Sequence, residues 1–194
     1  MIAQLKSFMN PTHITLLRCL MVVSLLLSSS HATRADVQLP AIIGNNMVLQ
    51  SSPETKVWGK GISGEEVTVE FQGKTYHTTV VNNDWQVLLT DLKPGGPYRM
   101  EIRGFNRIQL ENILVGDVWL GSGQSNMRFS LSRGRDAQAL IAAADYPEIR
   151  LFTVAESATD TPQEDVSGEW LVCTPDNVRN FSAVLYHFGR EITD

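Results

Sequence analysis

The sequence predicts a β-sandwich or jelly-roll domain followed by the start of an α/β domain with a parallel sheet. Between residues 37 and 114, short apolar segments are separated by turn residues at the roughly 8–12-residue spacing typical of all-β domains. The apolar run Ile113–Leu120 then indicates a strand covered on both faces, as in a parallel sheet. Beyond this run, helix-favouring and strand-like segments alternate, which is the pattern of an α/β layer.

The first 35 residues have the pattern of an export signal and are left out of the predicted domains. Lys6 and Arg18 come before the apolar run Cys19–Leu27, which is much shorter than the ~20 residues that a membrane-spanning helix needs. Small residues ending at Ala32 or Ala35 provide two cleavage points. We therefore expect a signal peptide over residues 1–35, a secreted or periplasmic protein, and no stable membrane anchor after cleavage. An uncleaved N-terminal anchor is the alternative.

Residues 36–115 are predicted to form the β-sandwich domain. Glu66–Phe71 alternates polar and apolar side chains as a half-buried strand does, and Gln72–Lys74 follows it as a hairpin turn. The strand-like segments of this region are Met47–Leu49, Lys56–Gly59, Glu66–Phe71, Thr75–Val80, Trp85–Leu89 and Tyr98–Ile102. Many short strands with tight turns favour two sheets that bury their inner faces against each other.

Residues 116–194 are predicted to form an incomplete α/β domain. Asp136–Ala144 favours a helix, whereas Ile149–Val154 and Gly168–Val172 have the composition of strands. The final segment, Phe181–Ile192, places apolar side chains on one helical face. That face needs covering and the sequence offers no further strand to cover it, so we expect the domain to be unfinished.

The candidate chemistry lies in the string Gly-Asp-Val-Trp-Leu-Gly-Ser-Gly-Gln-Ser-Asn-Met, from Gly116 to Met127. It places Ser125 just past the carboxyl end of a buried strand, where open α/β sheets hold their ligands. Gly121 and Gly123 allow the backbone to turn sharply, so that the hydroxyl can project into a crevice. A nucleophilic serine needs this exposure, a base and oxyanion donors. The alternative is a strand-to-loop turn with incidental serines.

This string closely resembles the nucleophile motif of the sialate O-acetylesterase family, which is one group of SGNH-type serine hydrolases. Gly44–Gln50, near the mature N-terminus, is similar to the same family, as are Glu169–Trp170, Phe181–Val184 and Phe188–Glu191 after the motif. The resemblance covers essentially the whole chain after the export signal. It implies that the β domain is followed by an SGNH-hydrolase domain, which is flavodoxin-like with a parallel sheet.

The resemblance also implies roles for individual residues. Ser125 is expected to be the catalytic nucleophile, and its backbone N–H the first oxyanion donor. Gln124, Asn126 and Gly123 are expected to shape the turn and the site. No metal ion or organic cofactor is implied.

Several parts of the family's machinery have no counterpart in this sequence. The resemblance implies a glycine and an asparagine that complete the oxyanion hole, and an Asp-x-x-His segment that supplies the base; no Asp-x-x-His occurs here. His77 and His187 follow the signal peptide, but they lie on a predicted strand and a predicted helix. We therefore expect the 194-residue chain to be an N-terminal fragment with negligible esterase turnover, since a serine without its base reacts slowly.

The activity implied by the resemblance is hydrolysis of acetyl esters on sugars, with an O-acetylated sugar or glycan as the substrate and sialic acid as the expected sugar. One alternative is an acetylesterase acting on plant polysaccharides. Others are a non-catalytic carbohydrate-binding module formed by residues 36–115 and a truncated product without a function of its own. A net charge of −5 with scattered basic residues excludes a nucleic-acid partner, and no oligomeric state is predicted.

Cys173 and the tryptophans could each have a functional or a structural role. Cys173 is the lone cysteine after the signal peptide and is expected to be a small buried hydrophobic residue rather than a nucleophile, because no basic neighbour in sequence lowers its pKa. The tryptophans could stack on sugars, but at strand spacing core packing is favoured. These tryptophans are Trp58, Trp85, Trp119 and Trp170.

Overall fold

The computed structural model describes residues 36–193, which belong to one compact unit. The predicted signal peptide, residues 1–35, lies outside the described residues. Within residues 36–193, no helix is long and apolar enough to cross a membrane. The predicted domain boundary between residues 115 and 116 stays a prediction.

Seven strands form the first part of the described chain. Five of them make one mixed sheet in the order β1-β7-β6-β3-β4, and β2 pairs with β5 in a second sheet. In the larger sheet β1 runs parallel to β7, whereas the other neighbouring strands are antiparallel. The strands are β1 (Val48–Gln50), β2 (Glu54–Lys60), β3 (Glu66–Phe71), β4 (Lys74–Thr79), β5 (Asp84–Thr90), β6 (Gly95–Arg103) and β7 (Arg107–Gly116).

The two sheets enclose one hydrophobic core. Val57 on β2 and Leu89 on β5 pack in the same cluster as Val69 on β3 and Ile102 on β6. All four side chains have 0% of their surface exposed, and burial of an aliphatic side chain of this size contributes about 1.5–3 kcal/mol. The mostly β character that the sequence predicts is confirmed, while a jelly-roll topology stays a prediction.

The hairpin β3–β4 follows directly from the local sequence. Along β3, Val69 and Phe71 are buried whereas Glu70 between them is exposed, because successive side chains of a strand point to opposite faces. Gln72 and Gly73 both have positive φ, 48° and 76°, which is the two-residue type I′ turn that matches the twist of a hairpin. The predicted turn after Phe71 is therefore confirmed.

The second part of the described chain contains two strands and three α-helices around a smaller core. β8 (Tyr146–Phe152) pairs with β9 (Trp170–Cys173) in an antiparallel ribbon. The helices are α1 (Ala137–Ala142), α2 (Pro175–Val178) and α3 (Ala183–Thr193). Their shared core is formed by Leu131, Ile141, Ala144, Leu151, Cys173, Val178 and Tyr186. No parallel pairing is present in this part of the described residues, so the SGNH-hydrolase domain stays a prediction.

The strand predicted over Ile113–Leu120 is shorter than expected. β7 ends at Gly116, which is the register partner of Gln50, the last residue of β1. Beyond this point the described residues provide no strand to pair with residues 117–120, and a strand forms only where its backbone has a partner. Trp119 and Leu120 are consequently 60% and 89% exposed, rather than covered on both faces.

Candidate functional site

Ser125 lies in a single helical turn that follows the irregular segment 117–123. The carbonyl oxygen of Gln124 accepts hydrogen bonds from the N–H groups of Met127 at 3.0 Å and Arg128 at 3.3 Å, and that of Asn126 accepts one from Phe129 at 3.2 Å. Ser125 is exposed, and no residue between 36 and 193 forms a hydrogen bond with its hydroxyl. The hydroxyl is therefore accessible to a ligand.

Helix α3 supports the segment that leads to this turn. Gly121 lies against Leu185, so closely that a Cβ at residue 121 would be 2.5 Å from Leu185 Cδ2. The ring of Trp119 packs edge-on against that of Phe188 on the same helix, with the centroids 5.1 Å apart. Leu185 and Phe188, on the first two turns of α3, thus fix the path of the chain before Ser125.

The segment after Ser125 is tied to the beginning of α3. The backbone carbonyl of Phe129 accepts a hydrogen bond from the N–H of Ala183 at 2.8 Å, and the hydroxyl of Ser182 contacts the sulfur of Met127 at 3.5 Å. Ser182 also accepts a hydrogen bond from the N–H of Leu185 at 3.4 Å, as an N-cap serine does. The helix therefore holds the chain on both sides of Ser125.

The end of β1 holds the other end of the motif. Gln50 accepts a hydrogen bond from the N–H of Val118 at 2.9 Å through Oε1 and donates one to Asp117 Oδ1 at 3.4 Å through Nε2. The N–H of Ser51 donates to the carbonyl oxygen of Gly116 at 2.7 Å. These contacts set the direction in which the chain leaves β7. They give Asp117 a structural hydrogen bond.

A cleft of about 1080 Å³ lies beside the turn. Its walls come from the end of β7, the irregular segment after it, β8 and α3, and they include Trp119, Leu151 and Phe188. Gly121 precedes Ser125 and Arg128 follows it in this lining, whereas Ser125, Gln124, Gly123 and Asn126 are not part of it. Ser125 is therefore exposed outside the cleft lining, while Met127 and Arg128 of the same turn belong to the lining, which is predominantly apolar.

The predicted site residues other than Ser125 are also exposed. The side chains of Gln124 and Asn126 are open to solvent, and both residues contribute to the turn through their carbonyl oxygens. A Cβ at Gly123 would meet Met127 Cβ at 3.5 Å, which is an ordinary van der Waals contact. The close approach that demands glycine therefore occurs at Gly121, which touches Leu185.

Neither histidine is brought to the serine turn. His77 lies exposed on β4, where its Nδ1 is 3.2 Å from Thr68 Oγ1. His187 lies exposed on α3, with its ring edge-on to Tyr186 at 5.5 Å. Neither residue lines the cleft.

The candidate stacking and nucleophilic residues have mostly structural environments. Trp85 is buried, and Trp58 and Trp170 pack partly buried against the main core, whereas Trp119 is exposed in the cleft. Cys173 is fully buried, and burial raises the pKa of its thiol to about 11. Among residues 36–193, no group of three His, Cys, Asp or Glu side chains could hold a metal ion.

One charged residue of the cleft was not predicted from the sequence. Arg128 is three residues after Ser125 on the same helical turn, and its guanidinium forms an ion pair with Glu156 at 2.7 Å. Both side chains line the cleft. The three-residue spacing from Ser125 was visible in the sequence, but the pairing with Glu156 depends on the fold of the loop after β8.

Known proteins resemble this chain in sequence and in fold. No family model matches the chain. It is 32% identical to the sialate O-acetylesterases of Homo sapiens and Pongo abelii over 90% of its own length, and 34% identical to that of Mus musculus over 85%. Among solved structures, a carbohydrate acetylesterase from Xanthomonas citri superimposes with a TM-score of 0.78 and 34% identity, covering 80% of this chain and 37% of that one.

The chain spans 38% of the length of the human and orang-utan relatives. The family resemblance predicted from the motif is confirmed: over about 90% of its length the chain is similar to sialate O-acetylesterases.

Proposed function

We propose that this chain carries the serine nucleophile of a carbohydrate O-acetylesterase, and that Ser125 is that nucleophile. The observation that carries the proposal is the exposed Ser125 hydroxyl, on a turn whose residues Met127 and Arg128 line a cleft of about 1080 Å³. The names of the relatives, sialate O-acetylesterase and carbohydrate acetylesterase, support acetylated sugars as the substrate class. O-acetylated sialic acid is the first candidate, and acetylated plant polysaccharide is the second.

In the proposed reaction, Ser125 Oγ attacks the carbonyl carbon of the acetyl ester. The bond between that carbon and the sugar oxygen breaks, the sugar oxygen takes up the proton that the serine hydroxyl loses, and the acetyl group remains bonded to Oγ as an acyl-enzyme. A water molecule then attacks the same carbonyl carbon and releases acetate, which restores the hydroxyl. The reaction needs no change in oxidation state and no cofactor.

The backbone of the turn supports the same assignment. The first N–H groups of a helical turn have no carbonyl partner within that turn, and the N–H of Ser125 is one of these. A free N–H next to the attacking oxygen is the usual first donor to a developing oxyanion. Gln124, Asn126 and Gly123 shape this turn in the proposal, and neither His77 nor His187 serves as the base.

We also propose that the protein is exported. The support is the sequence pattern of residues 1–35, which is that of a cleavable signal peptide. N-terminal sequencing of the protein recovered from the periplasm or the medium tests this, and a first residue near Ala35 or Asp36 is the expected result.

The experiment for the esterase proposal is acetate release from O-acetylated sialic acid and from acetylated xylan. It is run on the 194-residue chain and on the longest polypeptide that contains it. Ser125→Ala is compared with Ser122→Ala, which changes a second exposed serine of the same motif. Acetate release that survives in Ser125→Ala would show that the nucleophile is another residue.

A further inference from the structure

We propose that Arg128 is a specificity-determining residue that binds the carboxylate of a sialic acid, and that this carboxylate takes the place of Glu156 in the ion pair. The inference rests on the proposed esterase function and deepens it. In this proposal the site prefers an anionic sugar to a neutral one. The preference comes from Arg128, which is not among the site residues predicted from the motif.

The helical turn puts Arg128 and Ser125 on one face. The carbonyl of Gln124 accepts from the N–H of Arg128 at 3.3 Å, which closes one helical turn around Ser125. Side chains three residues apart on such a turn are neighbours, with Cβ atoms about 5–6 Å apart. A sugar whose acetyl ester reaches the Ser125 hydroxyl therefore passes close to the base of the Arg128 side chain.

The present partner of Arg128 is easily replaced. Arg128 Nη2 and Glu156 Oε1 are 2.7 Å apart, and each side chain is 70% exposed. Exposed ion pairs contribute little stability because water solvates both charges well and long side chains lose freedom in pairing. A second carboxylate can therefore compete with Glu156 for the guanidinium without disturbing a buried contact.

Arg150, the other basic residue of the cleft, already binds groups of the protein. Among the described residues that line the cleft, Arg128 and Arg150 are the basic side chains. Arg150 donates to Asn112 Oδ1 at 3.1 Å and to the carbonyl oxygen of Pro147, so its guanidinium is held by the protein. Arg128, in contrast, is paired with Glu156, whose side chain is exposed at the surface.

The chemistry of the guanidinium matches a carboxylate. Its planar fork presents parallel N–H donors that bind a carboxylate through two hydrogen bonds. A sialic acid carries such a group at neutral pH, whereas the acetylated units of xylan do not. Arg128 in this position thus distinguishes the two substrate classes that the proposed function leaves open.

The test measures the affinity of the 194-residue chain for two sugars that differ in one charge. These are the methyl glycoside of N-acetylneuraminic acid and the methyl ester of the same glycoside, titrated by NMR or calorimetry. The wild-type chain should bind the acid at least about tenfold more tightly than the ester. Arg128→Gln should abolish that difference, and Arg128→Lys should keep part of it because an ammonium cannot bind in the same forked way.

Two further variants make the test specific. Glu156→Gln should strengthen binding of the acid and leave binding of the ester unchanged, because it removes the competing carboxylate. Arg133→Gln is the matched control, since Arg133 is exposed, stacks on Phe129 at 5.2 Å and does not line the cleft. It should leave both affinities unchanged.

The proposal is overturned if the wild-type chain binds neither sugar, if it binds both equally, if Arg128→Gln keeps the preference, or if Glu156→Gln weakens binding of the acid. Its failure is distinct from failure of the esterase proposal. In the longest polypeptide that contains this chain, Ser125→Ala should lose acetate release and keep the Arg128-dependent preference for the acid, so the two proposals can fail separately.

Discussion

The ring of Phe188 stands edge-on to the ring of Trp119, with the centroids 5.1 Å apart and the planes at 77°. This contact joins helix α3 to the irregular segment that leads from β7 to Ser125. Edge-to-face aromatic pairs contribute about 0.5–1.5 kcal/mol beyond the area they bury. The pair therefore couples the stability of a helix to the position of the candidate nucleophile.

Phe188→Ala is expected to lower the free energy of unfolding by about 1–2 kcal/mol, since it removes the aromatic pair and part of a half-exposed ring. Urea denaturation followed by far-UV circular dichroism measures this. Val184→Ala on the same helix is the control, because Val184 is 48% exposed and should change the free energy by less than about 0.5 kcal/mol. Equal effects of the two variants would contradict a specific role for the pair.

Gly121→Ala tests the close approach between the motif and α3. The added Cβ would lie 2.5–2.7 Å from three atoms of Leu185, so either the loop or the leucine must move, at a cost of about 1–3 kcal/mol. Gly116→Ala is the matched control, since a Cβ there would be 3.9 Å from Val48. Thermal denaturation should show a lower midpoint for Gly121→Ala and partial recovery in the double variant with Leu185→Ala; no recovery would mean that the strain lies elsewhere.

The parts of the fold that the sequence predicted well are those set by local pattern. Glu66–Phe71 was predicted with the bounds that the structure gives to β3, because the alternation and the following turn are both contained in a few residues. The end of β7 could not be predicted in that way. It is decided by β1, a strand more than 60 residues earlier in sequence whose last partner is Gly116.

In the candidate site, too, a feature set by the local sequence was predictable and a feature set by tertiary packing was not. Ser125 is exposed, as the glycine-containing motif predicts, but it does not line the cleft, so its projection into a crevice stays a prediction. The ion pair between Arg128 and Glu156 was not predictable, because Glu156 lies in a loop without periodicity whose path depends on tertiary packing.

The alternation of Arg107, Gln109 and Glu111 with apolar residues at the start of β7 was present in the sequence, but that part of the strand was not predicted.

Glu101 makes the stability of the β part depend on pH. Hydrogen bonds from Arg107 and then Arg103 and Gln109 lower the pKa of Glu101 from 4.5 to about 2. Because the folded-state pKa is the lower one, this carboxylate contributes stability that is present above about pH 4.5 and is lost as the pH falls through about 2. The wild-type chain should become less stable over that interval.

Glu101→Gln should remove this component of the pH dependence. The variant should be less stable than wild type at pH 7, because two arginines lose their ionised partner, and the two proteins should approach each other near pH 2. Urea midpoints measured at several pH values between 2 and 7 test this. Glu66→Gln, an exposed position at the start of β3, is the control; a curve for Glu101→Gln parallel to wild type at all pH values would contradict the assignment.

Cys173 should react slowly in the folded protein. It is fully buried, and the burial raises the pKa of its thiol from 9.0 to about 11, so the thiolate that attacks disulfide reagents is scarce and covered. Labelling with an aromatic disulfide at pH 8 should be at least about a hundredfold faster in urea than in buffer, since each pKa unit changes the thiolate fraction tenfold. Equal rates would mean that the core around β9 opens readily.

In the longest polypeptide that contains this chain, Ser125→Ala should lower acetate release from O-acetylated sugars by at least about a thousandfold, because loss of a serine nucleophile leaves only the contribution of binding and oxyanion contacts. The hydroxyl has no hydrogen-bond partner among residues 36–193, so the substitution removes no structural contact and the urea midpoint should stay unchanged. Ser122→Ala should retain both activity and stability, since Ser122 is exposed and has no proposed chemical role. A further check is mass spectrometry of the enzyme quenched during turnover: an added acetyl group should be found on the peptide that contains Ser125. Its appearance on a different residue would move the nucleophile away from the turn that α3 supports.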